Sequence, residues 1–113
     1  MTDSELISAF HAMWDNFPEP VMLTQRSREI IAVNKAAEKA GLTPGIKCSS
    51  IGKPEDHKGC LCNRALDSGQ AAAVVYEGAF GKAFGYWIPV EGRPEWIIHF
   101  SAGISDIYEP LRR

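Results

Sequence analysis

The stretch from Gln70 to Ala102, QAAAVVYEGAFGKAFGYWIPVEGRPEWIIHFSA, decides the fold. It holds three β-prone runs, Gln70 to Glu77, Lys82 to Val90 and Glu95 to Ala102, rich in Val, Ile, Tyr, Trp and Phe. Turn residues separate them at Gly78-Ala79-Phe80-Gly81 and Glu91-Gly92-Arg93-Pro94, so each run folds back on the one before. In the last run Trp96, Ile98 and Phe100 point one way while Ile97, His99 and Ser101 point the other, because strand side chains alternate. Apolar residues occur in both sets, which predicts a sheet at least partly covered on both faces.

Upstream, Val21 to Thr24 and Glu29 to Asn34 are two shorter β-prone runs joined by the polar stretch Gln25-Arg26-Ser27-Arg28, and they should pair antiparallel. Asn34 is placed to cap a two-turn helix over Lys35-Ala36-Ala37-Glu38-Lys39-Ala40, with Gly41 closing it. From Thr43 to Gly59 the chain is dense in Pro, Gly, Ser and Lys and reads as loop with at most short helical turns. Asn63 to Gly69 reads as a further short helix ended by glycine. At the start, Thr2-Asp3-Ser4-Glu5 is a capping box, and Leu6, Phe10, Met13, Trp14 and Phe17 then fall on one helical stripe that Pro18 and Pro20 terminate. So aromatic a stripe must pack on the domain or on a second copy of the chain, and the outer sheet face is its natural seat. The order helix, two strands, short helices, three strands predicts an α+β fold: a five-stranded antiparallel sheet with short helices on one face and an N-terminal capping helix.

With 113 residues, 45% of them hydrophobic and 23% charged, the chain matches one globular domain that needs no disulfide staples. Twelve basic and fourteen acidic residues give a net charge of −2, and no Lys/Arg cluster forms a phosphate-binding face, so nucleic acid is not an expected partner. Asp3, Glu5, His11 and Asp15 punctuate the first helix, unlike a signal peptide, and no apolar run is long enough to span a membrane. The expectation is a cytoplasmic protein. Its three cysteines, Cys48, Cys60 and Cys62, are an odd number for a disulfide framework, which leaves reduced thiols, metal ligands or a redox pair.

Particular segments resemble the PAS domain family of sensory modules. Phe17-Pro18-Glu19-Pro20-Val21-Met22-Leu23 is similar to that family's entry into its first strand, and Ile30-Ile31-Ala32-Val33-Asn34-Lys35-Ala36-Ala37 to its second strand and first short helix. Ala65-Leu66-Asp67-Ser68-Gly69 resembles the "AL-x-x-G" before the third strand, and Ser105-Asp106-Ile107-Tyr108-Glu109 the "D-I-T" exit, with Tyr108 where Thr is usual. The resemblance covers nearly the whole chain and implies one sensory domain, with an N-terminal helix over 1–17, a core over 18–104 and an exit segment over 105–113. Many such domains with a cysteine-bearing helical region read "G-x-x-C", then "C-x-x-C-P" before the "AL-x-x-G". Alignment on Ala65-Leu66 places Cys60 on the final cysteine and His57 on the one before, Gly45-Ile46-Lys47-Cys48 supplies the first, and Cys62 is an addition.

His57 and Cys60, three apart, share one side of a helical turn, and the long loop lets Cys48 return to them. If Cys62 lies in extended backbone it faces as Cys60 does, and Cys48, His57, Cys60 and Cys62 make a Cys₃His set suited to tetrahedral zinc. If the helix has begun by Cys60, Cys62 points away. An iron–sulfur cluster, a reversible Cys48–Cys60 disulfide, or three inert buried thiols with no cofactor are the other readings. His99 reads as a satisfied structural residue or a pocket hydrogen-bonder rather than a haem ligand.

The resemblance implies a sensor, not an enzyme, that binds a small ligand or a metal or redox cofactor and relays the change to an output domain or partner protein; the aromatic stripe of the first helix adds a homodimer as a secondary expectation. Expected pocket residues are Val33, Ile51, Leu61, Leu66, Tyr76, Phe84 and Trp87. The alternatives are a small thiol-based redox enzyme using Cys60 with His57 as base, and a purely dimerising module without ligand.

Overall fold

The computed structural model describes residues 1–51, 59–78 and 81–103, without the side chains of 76–78, 81, 82 and 103. The chain begins with α1 (Asp3–Trp14), capped as expected: the Thr2 hydroxyl accepts from Glu5 N at 3.1 Å while the Glu5 carboxylate accepts from Thr2 N. There follow β1 (Val21–Gln25), β2 (Ile30–Val33), α2 (Lys35–Lys39), one 3₁₀ turn over Cys48–Ser50, α3 (Cys62–Ser68), β3 (Ala72–Gly78), β4 (Gly81–Pro89) and β5 (Trp96–Gly103). The strand limits differ from the sequence reading by a residue or two. Gly69, at φ 68, supplies the left-handed residue that stops α3.

All five strands form one antiparallel sheet in the order β2-β1-β5-β4-β3, so the last strand lies at its centre. The register lines up alternate residues in rows across the sheet. Val21, Phe100 and Tyr86 are cross-strand partners in one row, and Met22, His99, Trp87 and Ala72 in the next. The first row lies on the face that α1 covers, the second on the face that carries α2 and α3.

Under α1, Phe10, Val21, Leu23, Ala32 and Trp96 form a buried cluster that Leu6, Ile7, Trp14, Phe17, Ile98 and Phe100 complete. The helix therefore packs on its own sheet. Met13, expected on the same stripe, is 70% exposed, because the buried arc turns toward Ile7 instead. Arg93 fastens the beginning of α1 through an ion pair with Asp3 and a hydrogen bond to the Met1 carbonyl, while its guanidinium lies 4.4 Å from the Trp96 ring centre.

Asn34 fastens the other end. Fully buried, its Oδ1 accepts from Val21 N at 2.9 Å and from Ala37 N at 3.0 Å, and its Nδ2 donates to the carbonyls of Trp14, Phe17 and Glu19. One side chain thus caps α2, as the sequence predicted, and also fixes the path from α1 into β1. Such complete pairing is what a buried amide requires.

The chain after α2 is more ordered than a plain loop. Ile30 N donates to the Ile46 carbonyl at 2.8 Å, Gly45 N to that of Ile30 at 2.9 Å and Cys48 N to that of Arg28 at 2.8 Å, with Glu29 and Lys47 bridged antiparallel. Residues 45–48 therefore lie along the outer edge of β2. Among the described residues no helix is long and apolar enough to cross a membrane.

Candidate functional site

The edge pairing at 45–48 delivers Cys48 to one side of a cavity between the sheet and the short helical elements. The start of α3 at Cys62, with Leu61 in the capping position, delivers Cys60 and Cys62 to another. The sheet supplies the floor: Met22, His99 and Trp87 from the cross-strand row, and Thr24 beside them. The cavity measures about 180 Å³ and is lined by these residues together with Arg28, Leu42 and Ile51. Its floor is flat because His99 stacks on Trp87, ring centres 4.6 Å apart and 13° from parallel. His99 Nδ1 lies 2.9 Å from the Tyr86 carbonyl, and since a carbonyl only accepts, this nitrogen carries the proton.

Of the pocket residues expected from sequence, Ile51 and Trp87 line this cavity. Val33 does not: it packs with Ile30 and Ala37 behind Met22, Leu42, Cys48 and Ile51. Leu61 and Leu66 support the cavity from behind Cys62, Ala65, Trp87 and Ile97, and each opens instead on a separate surface recess. Phe84 lies on the opposite face, stacked on Tyr86, which stacks in turn on Phe100 beneath α1. Three residues apart on one strand, Phe84 and Trp87 cannot share a face. Tyr76 pairs with Ala83 in β3, and its side chain lies outside the described residues.

All three cysteines line the cavity, including Cys62, which is the first residue of α3. Among the described residues, however, no three Cys, His, Asp or Glu side chains group closely enough to hold a metal ion. Cys48, from the 3₁₀ turn, and Cys60 and Cys62, from the start of α3, border the cavity from two sides instead of converging by themselves. His57, the fourth ligand of the expected set, lies outside the described residues, as do the exit segment 105–113 and the turn residues Ala79 and Phe80.

Burial pushes the Cys48 and Cys62 thiols up from their ordinary value, with the neighbouring Cys60 adding to the shift and Arg28 opposing it. Both thiols are therefore protonated at neutral pH, and a protonated thiol is a poor nucleophile. They act as small apolar wall groups.

Sequence reading missed Met22, Thr24, Arg28 and Leu42 as lining residues. A signal existed for Met22: once His99 is placed on the inner face, its cross-strand partners on both sides, Met22 and Trp87, must join it.

No family model and no curated protein matches the sequence. Several solved structures match its fold. A domain of an HTR-like protein from Haloarcula marismortui superposes with a TM-score of 0.62 at 20% identity, over 78% of this chain and 99% of its own. The PAS domain of Bordetella pertussis BvgS gives 0.67 at 17% identity, over 96% and 93%. The sensory box sensor histidine kinase from Vibrio cholerae gives 0.60 at 13%, over 88% and 90%. With the β2-β1-β5-β4-β3 sheet and the short helices over one face, these likenesses establish that the chain has the PAS fold.

Proposed function

We propose that this chain is a sensory module of signal transduction that binds a small molecule in the cavity between its sheet and short helices. The observation that carries this reading is the cavity itself: a mostly apolar hollow with a stacked Trp87–His99 floor and few polar groups, the usual make-up of a ligand site. The central strand offers the route of relay. His99 faces the cavity while the next residue, Phe100, packs against Trp14, Phe17 and Tyr86, so a displacement of β5 reaches the α1 face within one residue. An output domain or partner protein reads that displacement. The reduced thiols suit a cytoplasmic setting.

The test is a thermal-shift screen of small molecules on the wild type and on Cys48→Phe, whose added ring occupies the cavity from the loop side. Compounds that raise the melting temperature of the wild type alone support the reading. Compounds that act equally on both proteins contradict it.

A second reading makes the thiols the functional groups, and it is favoured by the opening of Cys48, Cys60 and Cys62 on one cavity. With His57 they would offer zinc or an iron–sulfur cluster a soft ligand set. Metal analysis of protein purified without oxygen checks this: about one equivalent, lost in Cys48→Ser/Cys60→Ser, is the result it requires. A homodimer through α1 would use that helix's outward side, where Met13 is exposed, since Leu6, Phe10, Trp14 and Phe17 are engaged with the sheet.

A further inference from the structure

Arg28 reaches the cavity from a backbone conformation that its side chain disfavours. It is the third of the four residues, 26–29, that connect β1 and β2, and has φ 78. Its N–H donates to the Gln25 carbonyl at 2.7 Å, and Gln25 N donates to that of Glu29 at 3.1 Å. With Gln25 closed on Glu29, residues 26–28 form the tight part of the loop, and the final residue of such a three-residue loop is left-handed, a position that suits glycine because a Cβ there crowds the backbone. An arginine held in such strain at the wall of a cavity points to a role for its side chain.

That side chain is positioned but, among the described residues, not neutralised. Its Nη1 donates to the Arg26 carbonyl and, at 3.3 Å, to Asn63 Oδ1. Among the described residues no carboxylate pairs with it. Arg26, two residues away, pairs with Asp67 at 2.9 Å and Glu95 at 2.6 Å, and Arg93 pairs with Asp3. No Asp or Glu is among the described lining residues either. The rest of the described wall is mostly apolar, Met22, Leu42, Ile51 and Trp87 with thiols beside them, and its other polar members are Thr24 and His99.

We propose that the cavity takes a small planar organic anion, its carboxylate paired with the Arg28 guanidinium and its apolar body lying against Trp87, Met22 and Ile51. This rests on the ligand-binding reading above and adds the chemical class. A guanidinium that pairs with no carboxylate among the described residues, set in a mostly apolar hollow, selects for a negative group, and its fork matches a carboxylate. The volume of about 180 Å³ limits the body to about one aromatic ring, as a dry cavity of roughly 150 Å³ is enough for benzene.

The experiment is an amide-resolved NMR titration of the whole chain with benzoate and with benzamide, which has the same shape without the charge. Both are expected to shift the amides of Met22, Cys48 and His99, with benzoate binding at least about tenfold more tightly. Arg28→Gln is expected to abolish that preference. Arg28→Gly should abolish it too while keeping the melting temperature at or above the wild-type value, because glycine accepts the left-handed backbone. Equal affinity for the two probes, or a benzoate preference that survives in Arg28→Gln, overturns the anion proposal and leaves the ligand-binding reading standing. If neither probe moves the cavity amides, both fall.

Discussion

On the face beneath α1, Val21, Leu23, Trp96, Ile98 and Phe100 meet Phe10, Trp14 and Phe17 in a filled aromatic core. On the other face of the same strands, Met22, Thr24 and His99 look into a cavity of about 180 Å³. Only the strand alternation separates the two sets, so neighbouring residues in sequence serve opposite ends. The filled face supplies cohesion, since each large buried side chain contributes a few kcal/mol, of order 2–3. That surplus lets the other face keep a hollow, an arginine paired with no described carboxylate, and two protonated thiols. A module whose site is a gap in its packing needs its stability placed elsewhere, and here it lies one pleat away.

The contrast can be broken from the filled side first. Phe10 is 2% exposed, and Phe10→Ala should lower the unfolding free energy by about 4 kcal/mol in a urea titration, since the rigid cluster around it cannot collapse into the space. Asn34→Ala should cost about 3 kcal/mol, because the amides of Val21 and Ala37 would be left buried without an acceptor. It should also loosen α1 and α2 together, visible as faster hydrogen exchange in both helices. Cys48→Ala, at the border of the hollow, should cost less than about 1 kcal/mol in the same titration, since its side chain is only half-buried and adjoins existing space. A large loss there would mean that the inner face is packed as tightly as the outer.

The smallest effect sharpens the account of the thiols. Burial raises the Cys48 and Cys62 thiols above the ordinary 9.0, so above that pH the unfolded chain gives up its thiol protons before the folded one does. Stability from these groups is therefore complete below about pH 9 and declines as pH rises through their folded values. Urea titrations at neutral pH and above pH 9.0 should show this decline in the wild type and less of it in Cys48→Ala.

Most of the scaffold was legible because local chemistry and tertiary need agree. Thr2 and Glu5 cap α1, Asn34 caps α2, Gly69 ends α3, and the alternation through Trp96 to Ser101 divides the two faces as the residues themselves indicate. The site was less legible. In β4 apolar residues occupy both parities, Phe84, Tyr86 and Ile88 against Trp87, so hydrophobicity alone does not set the phase, although the spacing of Phe84 and Trp87 already excludes a shared face. Cys48 enters the cavity through backbone pairing of 45–48 with the edge of β2, and backbone hydrogen bonds leave no mark on side-chain pattern. Arg28 was read as part of a polar turn. Nothing in Gln25-Arg26-Ser27-Arg28 distinguishes the arginine paired with Asp67 and Glu95 from the one that lines the cavity.

The most direct measurement is a crystal structure of the protein under xenon pressure, since xenon settles in dry apolar hollows and nowhere in close-packed cores. The expected result is a xenon site among Met22, Leu42, Ile51 and Trp87 and none among Phe10, Trp14, Phe17 and Phe100. Xenon beneath α1, or an inner face that admits none, would contradict the division of one sheet into a filled face and a receptive one.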